Sequence, residues 1–256
     1  MTGFAADWLR LRASADRRAR NRQLAAALQR HFAGHRAVTV LDLGAGSGNN
    51  MAATAPLLPK SQHWRLVDSD PVLLAAARPA PGVVQTTLRA DLARGIGPLL
   101  VPRPDLVTAS AFFDIAGAAW IDRLVADLAG AGLPLYAVLS YTGHERWDPP
   151  HPADEAALAA FHVDQQRDKG LGPALGPAAA AHLAAALQAA GYRVEQGASD
   201  WQLEATRDAG LIAALARSSA AAVAPALGPA AADWGTARER ASRVTISHTD
   251  ILALPG

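Results

Sequence analysis

The sequence contains no cysteine. Disulfides, thiolate metal sites and cysteine nucleophiles are therefore excluded, and a reducing compartment is permitted. It also lacks a charge imbalance: 24 Lys and Arg stand against 23 Asp and Glu, a formal net charge of +1. No global field draws in nucleic acid or an anionic membrane, so either partner would need a local patch. Long hydrophobic runs are missing as well, since no stretch approaches the roughly 18 apolar residues that span a bilayer. The opening Met-Thr-Gly-Phe-Ala-Ala-Asp-Trp lacks the basic start and apolar core of a signal peptide. The expectation is a cytoplasmic protein without a membrane partner. His144 and His151 lie seven apart in a proline-rich stretch, which is not a ligand spacing, and no metal site is expected. What is present is core-forming material: of 256 residues, 50% are hydrophobic and 18% charged, which most simply makes one domain.

From Asp7 to Phe32, Leu24, Leu28 and Phe32 repeat every four positions among many arginines, predicting an amphipathic helix that Gly34 ends. Val38-Thr-Val-Leu-Asp-Leu is a short β-branched apolar run that stops in Gly44-Ala-Gly-Ser-Gly48, and Asn49 to Leu58 is compatible with a helix closed by Pro59. A second unit follows, with a strand over Trp64–Asp68 and a helix capped by Asp70 and reaching Pro79. Val83 to Leu88 reads as a third strand and Asp105–Ser110 as a fourth. A helix bearing Trp120, Ile121, Leu124, Val125 and Leu128 on one face precedes a fifth strand over Leu133 to Tyr141. Strands alternating with helices imply a parallel sheet covered on both sides. From Thr142 to Gly176 the alternation gives way to Pro, Gly, His and charge around a short helix near Ala156–Gln166, read as an insertion over the ligand edge of the sheet. Beyond it the pattern predicts a helix with Leu183 and Leu187, a strand at Tyr192–Glu195, two helical stretches between Arg207 and Arg240, and a closing strand at Arg243–Ser247.

The chemistry centres on Asp42-Leu-Gly44-Ala45-Gly46-Ser-Gly48-Asn49 at a strand-to-helix turn, with Asp68 twenty positions beyond Gly48 at the end of the next strand. Glycines let backbone approach a ligand closely, and a helix N-terminus beyond them favours a carboxylate or phosphate. An acidic side chain at the second strand end can accept both hydroxyls of a ribose. The spacing is G-x-G-x-G rather than G-x-G-x-x-G, which disfavours a nicotinamide dinucleotide.

From Val38 to Tyr141 the sequence resembles the class I, Rossmann-like superfamily of S-adenosylmethionine-dependent methyltransferases. Asp42-Leu-Gly-Ala-Gly-Ser-Gly resembles its first motif, which implies that the glycines pass under the methionine and ribose of S-adenosylmethionine while Asp42 holds the amino end. Leu66-Val-Asp68-Ser69-Asp70-Pro resembles the second, with Asp68 on the ribose hydroxyls. Ala90-Asp91-Leu92 resembles the third, with the Asp91 side chain on the adenine amino group and the Leu92 backbone on a ring nitrogen. Asp105-Leu-Val-Thr-Ala-Ser110-Ala-Phe-Phe-Asp114 resembles the fourth, at the strand end where the methyl is delivered.

The resemblance implies one α/β domain with a doubly wound, seven-stranded, mostly parallel sheet over residues 37–256, a helical extension over 1–36 and an acceptor lid over 142–176. Methyl transfer is an in-line displacement that gains most from alignment and exclusion of water, so no dedicated acid is required. A general base helps when the acceptor is a hydroxyl or protonated amine, and Tyr141, His144, His162 and Asp114 are the candidates, each also readable as a loop or pocket-wall group. The stretch Phe161–Gly176 mixes polar groups, aromatics and glycines and is the expected acceptor lid. The arginines at 10, 12, 17, 18, 20, 22 and 30 read either as a solvated helix face or as a grip on an anionic acceptor, the cofactor carboxylate or RNA. Without cysteine a cytosine-C5 methyltransferase is excluded, and Ser110-Ala-Phe-Phe in place of Asn/Asp-Pro-Pro-Tyr argues against the adenine-N6 and glutamine-amide branches. The expected acceptor is a small molecule methylated at O or N; an RNA or protein acceptor, or a non-catalytic cofactor-binding member, is the alternative.

Overall fold

The computed structural model describes residues 6–256; the first five residues of the expected extension over 1–36 lie outside them. The chain opens with α1 (Ala6–Ala19) and α2 (Arg22–Phe32). The single helix expected from Asp7 to Phe32 is thus two. Asn21 separates them, its side chain accepting from the backbone N–H of Gln23 and Leu24 at 3.0 Å each, an N-cap that restarts the helix in a new direction. Then come β1 (Ala37–Leu43), α3 (Asn49–Thr54), β2 (Ser61–Asp68), α4 (Pro71–Ala76), β3 (Val83–Arg89), β4 (Leu106–Ser110), α5 (Ala118–Ala131) and β5 (Leu135–Asp148). After them run α6 (Asp154–Gln165), α7 (Ala179–Ala189), β6 (Tyr192–Ala198), β7 (Trp201–Glu204), α8 (Ala205–Leu227), α9 (Ala230–Arg238) and β8 (Arg243–Pro255).

The strands form one sheet in the order β3-β2-β1-β4-β5-β8-β6, with β7 also paired to β8, so the sheet has eight strands rather than seven. Strands β1 to β5 are parallel, and β8 runs antiparallel to both neighbours. The order reverses between β1 and β4, the switch point outside which ligands bind in such sheets. Period-two alternation gives the sheet two apolar faces. Val40, Leu66, Leu106, Tyr136 and Leu252 join Leu24, Leu28 and Phe32 of α2 on one side. Leu41, Val67, Val107, Ala137 and Ile251 join α5 and α7 on the other, through residues such as Ile121, Leu128, Leu183 and Leu187.

Three expectations about the far half of the chain are corrected. The expected insertion at 142–176 begins as strand: β5 continues to Asp148, pairing with β8 through Asp148↔Arg243 across register shifts near Tyr141. The closing strand is correspondingly longer than Arg243–Ser247, and the four-residue β7 pairs with its first part. Together they make a three-stranded ribbon that overshoots the parallel strands and carries α1, α6 and α8 on its surfaces. Helix α8 is also long and apolar enough to cross a membrane by length and composition, with an 18-residue window of mean hydropathy 1.5, contrary to the expectation that no stretch approaches this. It packs on α1, α6, α9 and β7, burying Leu211, Ile212, Ala216 and Val223.

Candidate functional site

Strand β1 ends in Asp42 and Leu43, and the chain then turns through Gly44, Gly46 and Gly48 at φ of 61°, 52° and 83°. Those angles suit glycine, and space decides the same way at two of the positions. A Cβ on Gly44 would lie 2.6 Å from the Phe112 ring, and one on Gly46 would lie 2.9 Å from the Leu9 side chain of α1. The turn is tied to β2 by the N–H of Ala45 donating to the Val67 carbonyl at 2.9 Å, and by the N–H of Gly46 donating to Asp68 Oδ2 at 2.8 Å. The other Asp68 oxygen accepts from the N–H of Asp70 at 2.9 Å. The helix after the turn is shorter than the expected Asn49–Leu58, with six residues before a 3-10 turn takes over at Ala55.

Asp42 is 0% exposed. Its Oδ1 accepts from Asn50 Nδ2 at 2.6 Å, while its Oδ2 has no partner. Burial pushes its carboxyl up to about 7, against the Asn50 hydrogen bond and the Arg20 charge that hold it down. Arg20 donates to Asn50 Oδ1 and Thr54 Oγ1 at 2.7 Å each, so the junction between α1 and α2 is wired to the glycine turn through one buried polar chain. Asn50 was not singled out in the sequence, although it adjoins the motif; Arg20 was named only as one of seven arginines, and its partner Asn50 lies 30 residues away. Asn49 faces the other way, its Nδ2 donating to the Leu9 carbonyl at 2.6 Å.

The remaining expected cofactor positions line the same edge. Ser69 is exposed next to Asp68. Asp91 is exposed and caps a 3-10 turn by accepting from the Ala93 N–H at 3.0 Å, and the carbonyl of the buried Leu92 accepts from Trp120 Nε1 at 2.7 Å. Ser110 pairs with Val138 at the ends of β4 and β5. Directly beyond them two non-glycine residues hold left-handed backbone, Ala111 at φ 49° and Leu139 at φ 57°. Such conformations cost about 1–3 kcal/mol each and persist only where surroundings enforce them. At Leu139 the enforcing contact is Asp250, which accepts from its N–H at 2.8 Å and from that of Asn21 at 2.8 Å.

Of the four candidate bases, two meet directly. The Tyr141 hydroxyl donates to Glu145 Oε1 at 3.2 Å and lies 3.1 Å from His162 Nε2. Burial, then Glu145, push the Tyr141 hydroxyl up, so it stays protonated and serves as a donor rather than a base. Burial pushes His162 down, leaving a neutral imidazole. Asp114 follows the strained Ala111, with a buried Oδ1 that lacks a partner and a carboxyl raised by burial. His144 is exposed and touches this group only by depressing His162. Glu145, on the extended β5, was missed because that stretch reads as loop, and Trp147 was placed only within the expected insertion. The expected lid is anchored where Asp114 sits: the N–H of Gly117 donates to the Leu171 carbonyl at 3.0 Å and that of Leu175 to the Ala116 carbonyl at 2.9 Å.

The arginines divide. Arg12 pairs with Asp16 at 2.9 Å, Arg18 with Asp208 at 2.7 Å, and Arg20 is committed as above. Arg17, Arg22 and Arg30 are exposed.

No protein-family model matches the sequence, and no curated protein matches it. Solved structures do. A methyltransferase from Geobacter sulfurreducens, described as dependent on S-adenosylmethionine and solved with S-adenosyl-L-homocysteine, is 16% identical, with 100% of each chain covered and a TM-score of 0.52. A cyclopropane-fatty-acyl-phospholipid synthase-like protein from Lactobacillus casei is 15% identical over 98% of this chain and 95% of that one, at 0.52. The YcgJ protein of Bacillus subtilis is 14% identical over 92% and 99%, at 0.51. The architecture is the class I methyltransferase fold, an α/β fold with a mostly parallel central sheet.

Proposed function

We propose that this protein is an S-adenosylmethionine-dependent methyltransferase acting on an O or N atom of a small molecule. The observation that carries the proposal is the fully buried Asp42 carboxylate, whose Oδ2 lacks a donor directly beneath a glycine turn. A buried acceptor left open in this way costs about 1–3 kcal/mol unless a ligand group completes it. The amino group of S-adenosylmethionine is a donor of the right kind, and the shared fold with a structure solved with S-adenosyl-L-homocysteine supports the assignment.

When bound, S-adenosylmethionine supplies a methyl group made electrophilic by its sulfonium. Gly44, Ala45, Gly46 and Gly48 would hold its methionine and ribose, Asp42 its amino group, Asp68 its ribose hydroxyls, and Asp91 with the Leu92 N–H its adenine; Asn49, Ser69 and Ser110 border the same edge. Leu9 and Phe112 pack against the two glycines on the side where a Cβ would stand, so a cofactor reaching that side displaces the Leu9 side chain or the Phe112 ring. At the acceptor, we assign proton removal to Asp114 Oδ1, which is buried and lacks a partner; the Tyr141 proton goes to Glu145, so His162 Nε2 donates to the Tyr141 oxygen and positions that hydroxyl instead of taking a proton. Three of the seven arginines, Arg12, Arg18 and Arg20, are used inside the chain, which weakens the case for an RNA acceptor.

The competing reading is a cofactor-binding member without turnover, favoured by Tyr141 and His162 being engaged with each other and with Glu145. Incubation with methyl-labelled S-adenosylmethionine and a panel of small hydroxyl and amine compounds separates the two. Label transferred to a compound in an Asp114-dependent manner supports the proposal. Tight cofactor binding with no S-adenosylhomocysteine formed across the panel selects the competing reading.

A further inference from the structure

Beyond the strand ends, the overshooting part of β5 and helices α6, α8 and α9 enclose a cavity of about 280 Å³. That is close to the lower end of small-molecule pockets, roughly 300 Å³. Its walls are aromatic and acidic: Trp147, Trp234 and Phe161 supply rings, and Glu145, Asp154 and Glu155 supply carboxylates. Trp147 and Trp234 meet edge to face, with ring centroids 6.0 Å apart, and Phe161 stacks edgewise on Tyr141 at 6.2 Å. No lysine, arginine or histidine lines the cavity among the described residues.

The carboxylates are unevenly satisfied. Asp154 accepts from Trp234 Nε1 at 2.8 Å and from the His151 N–H at 2.8 Å, and it pairs with Arg238 at 3.6 Å. Glu145 accepts only from neutral donors, Tyr141 at 3.2 Å and Trp147 at 3.3 Å. Among the described residues neither Glu145 nor Glu155 forms an ion pair. Rings offer their faces to cations, and uncompensated carboxylates complete the attraction, whereas an anion is repelled by both and a neutral donor gains a hydrogen bond alone. The cavity is joined to the candidate acceptor edge through Tyr141, which bonds Glu145 and packs on Phe161.

We infer that this cavity binds an organic cation with an apolar body, and that the methyl acceptor is therefore an amine that binds as its ammonium form, gives one proton to the base assigned above, and then uses the freed nitrogen lone pair to form the N–C bond as the S–CH3 bond of S-adenosylmethionine breaks and S-adenosylhomocysteine leaves. The cavity's preference for cations stands on its walls alone; the word acceptor rests on the methyltransferase reading above.

The test uses the full chain and phenyltrimethylammonium, a cation that cannot be methylated, beside its uncharged carbon isostere tert-butylbenzene, both titrated by calorimetry. The cation binds at least tenfold tighter than the isostere. Glu145→Gln and Trp234→Phe each weaken the cation at least threefold and move the isostere less than twofold, with melting temperatures close to wild type. Ser219→Leu, which adds bulk on the α8 wall, weakens both probes. Equal affinities in the wild-type protein, a preference untouched by both Glu145→Gln and Trp234→Phe, or binding of neither probe overturns the cavity assignment. Two outcomes then separate the claims. Cation binding without labelling of any amine overturns the acceptor half alone, and absence of S-adenosylmethionine binding overturns the methyltransferase reading while the cation site stands.

Discussion

Asp42→Asn is expected to make the ligand-free protein more stable while damaging its cofactor site. Buried in the native state, Asp42 titrates at about 7 instead of 3.8. Between those values the folded protein holds a proton that the unfolded chain has lost, so this group's contribution to stability falls as pH rises from about 4 to about 7. At 1.36 kcal/mol per pH unit the ionised carboxylate weighs against folding by about 4 kcal/mol above pH 7, and by about 2 kcal/mol at pH 5.5. The asparagine is neutral throughout and keeps an oxygen to accept from Asn50. Its Nδ2, however, enters the position where Oδ2 lacks a partner, at a cost of about 1–3 kcal/mol. The two proteins should therefore be nearly equal at pH 5.5, with the variant ahead by about 1–3 kcal/mol at pH 8. Asp114, Glu145 and Asp250 are raised in the same sense and His248 is depressed, but these groups are common to both proteins and cancel in the difference. Urea unfolding at the two pH values reads the gap. A gap that does not widen with pH, or a variant less stable at pH 8, would refute the reasoning. The same substitution should weaken S-adenosylmethionine at least tenfold, because an amide cannot supply the charge that an ammonium needs.

Three further substitutions follow from the same geometry. Asp68→Ala should weaken S-adenosylmethionine at least tenfold in calorimetry and lower the melting temperature through loss of the bonds from Gly46 and Asp70, while circular dichroism stays native; unchanged affinity removes Asp68 from the site. Leu9→Ala should tighten cofactor binding several-fold, because Leu9 packs against Gly46 and is displaced by a cofactor reaching that side; weaker binding would mean that α1 completes the site instead of closing it. His248, depressed by burial to about 3, gives stability that is present above pH 6.5 and lost as the pH falls below it. Wild type should thus lose about 2 kcal/mol more than His248→Gln between pH 6.5 and 4.5, and parallel urea curves would contradict this.

The sheet was legible because its signals are local. Val38–Leu43, Trp64–Asp68 and Leu106–Ser110 are apolar runs ending in turn or acidic residues, and the helix between β4 and β5 shows its core face through Trp120, Ile121, Leu124, Val125 and Leu128. The ribbon was not legible. Thr142-Gly-His-Glu-Arg is polar because that part of β5 is partly solvated and is held by pairing with residues about a hundred positions later, a partner no local pattern reveals. Strand β7 has four residues, too few for a period. The break at Asn21 did carry a signal, since asparagine is a favoured N-cap, but the apolar spacing of Leu24, Leu28 and Phe32 overrode it. Within the site, the motif residues could be named from the sequence because their roles are set by turn geometry. Leu9 could not, and neither could the contacts of Arg20 and Phe112, which the sequence shows only as one arginine of seven and one motif residue, because each reaches the glycine turn from a distant element.

The most direct test of the central claim is calorimetric titration of the full-length protein with S-adenosylmethionine and, separately, with NADH. Micromolar, roughly one-to-one binding of S-adenosylmethionine, abolished in Asp68→Ala and absent for NADH, is the expected result. Binding of neither compound by folded protein would contradict the account and leave the glycine turn without its assigned ligand.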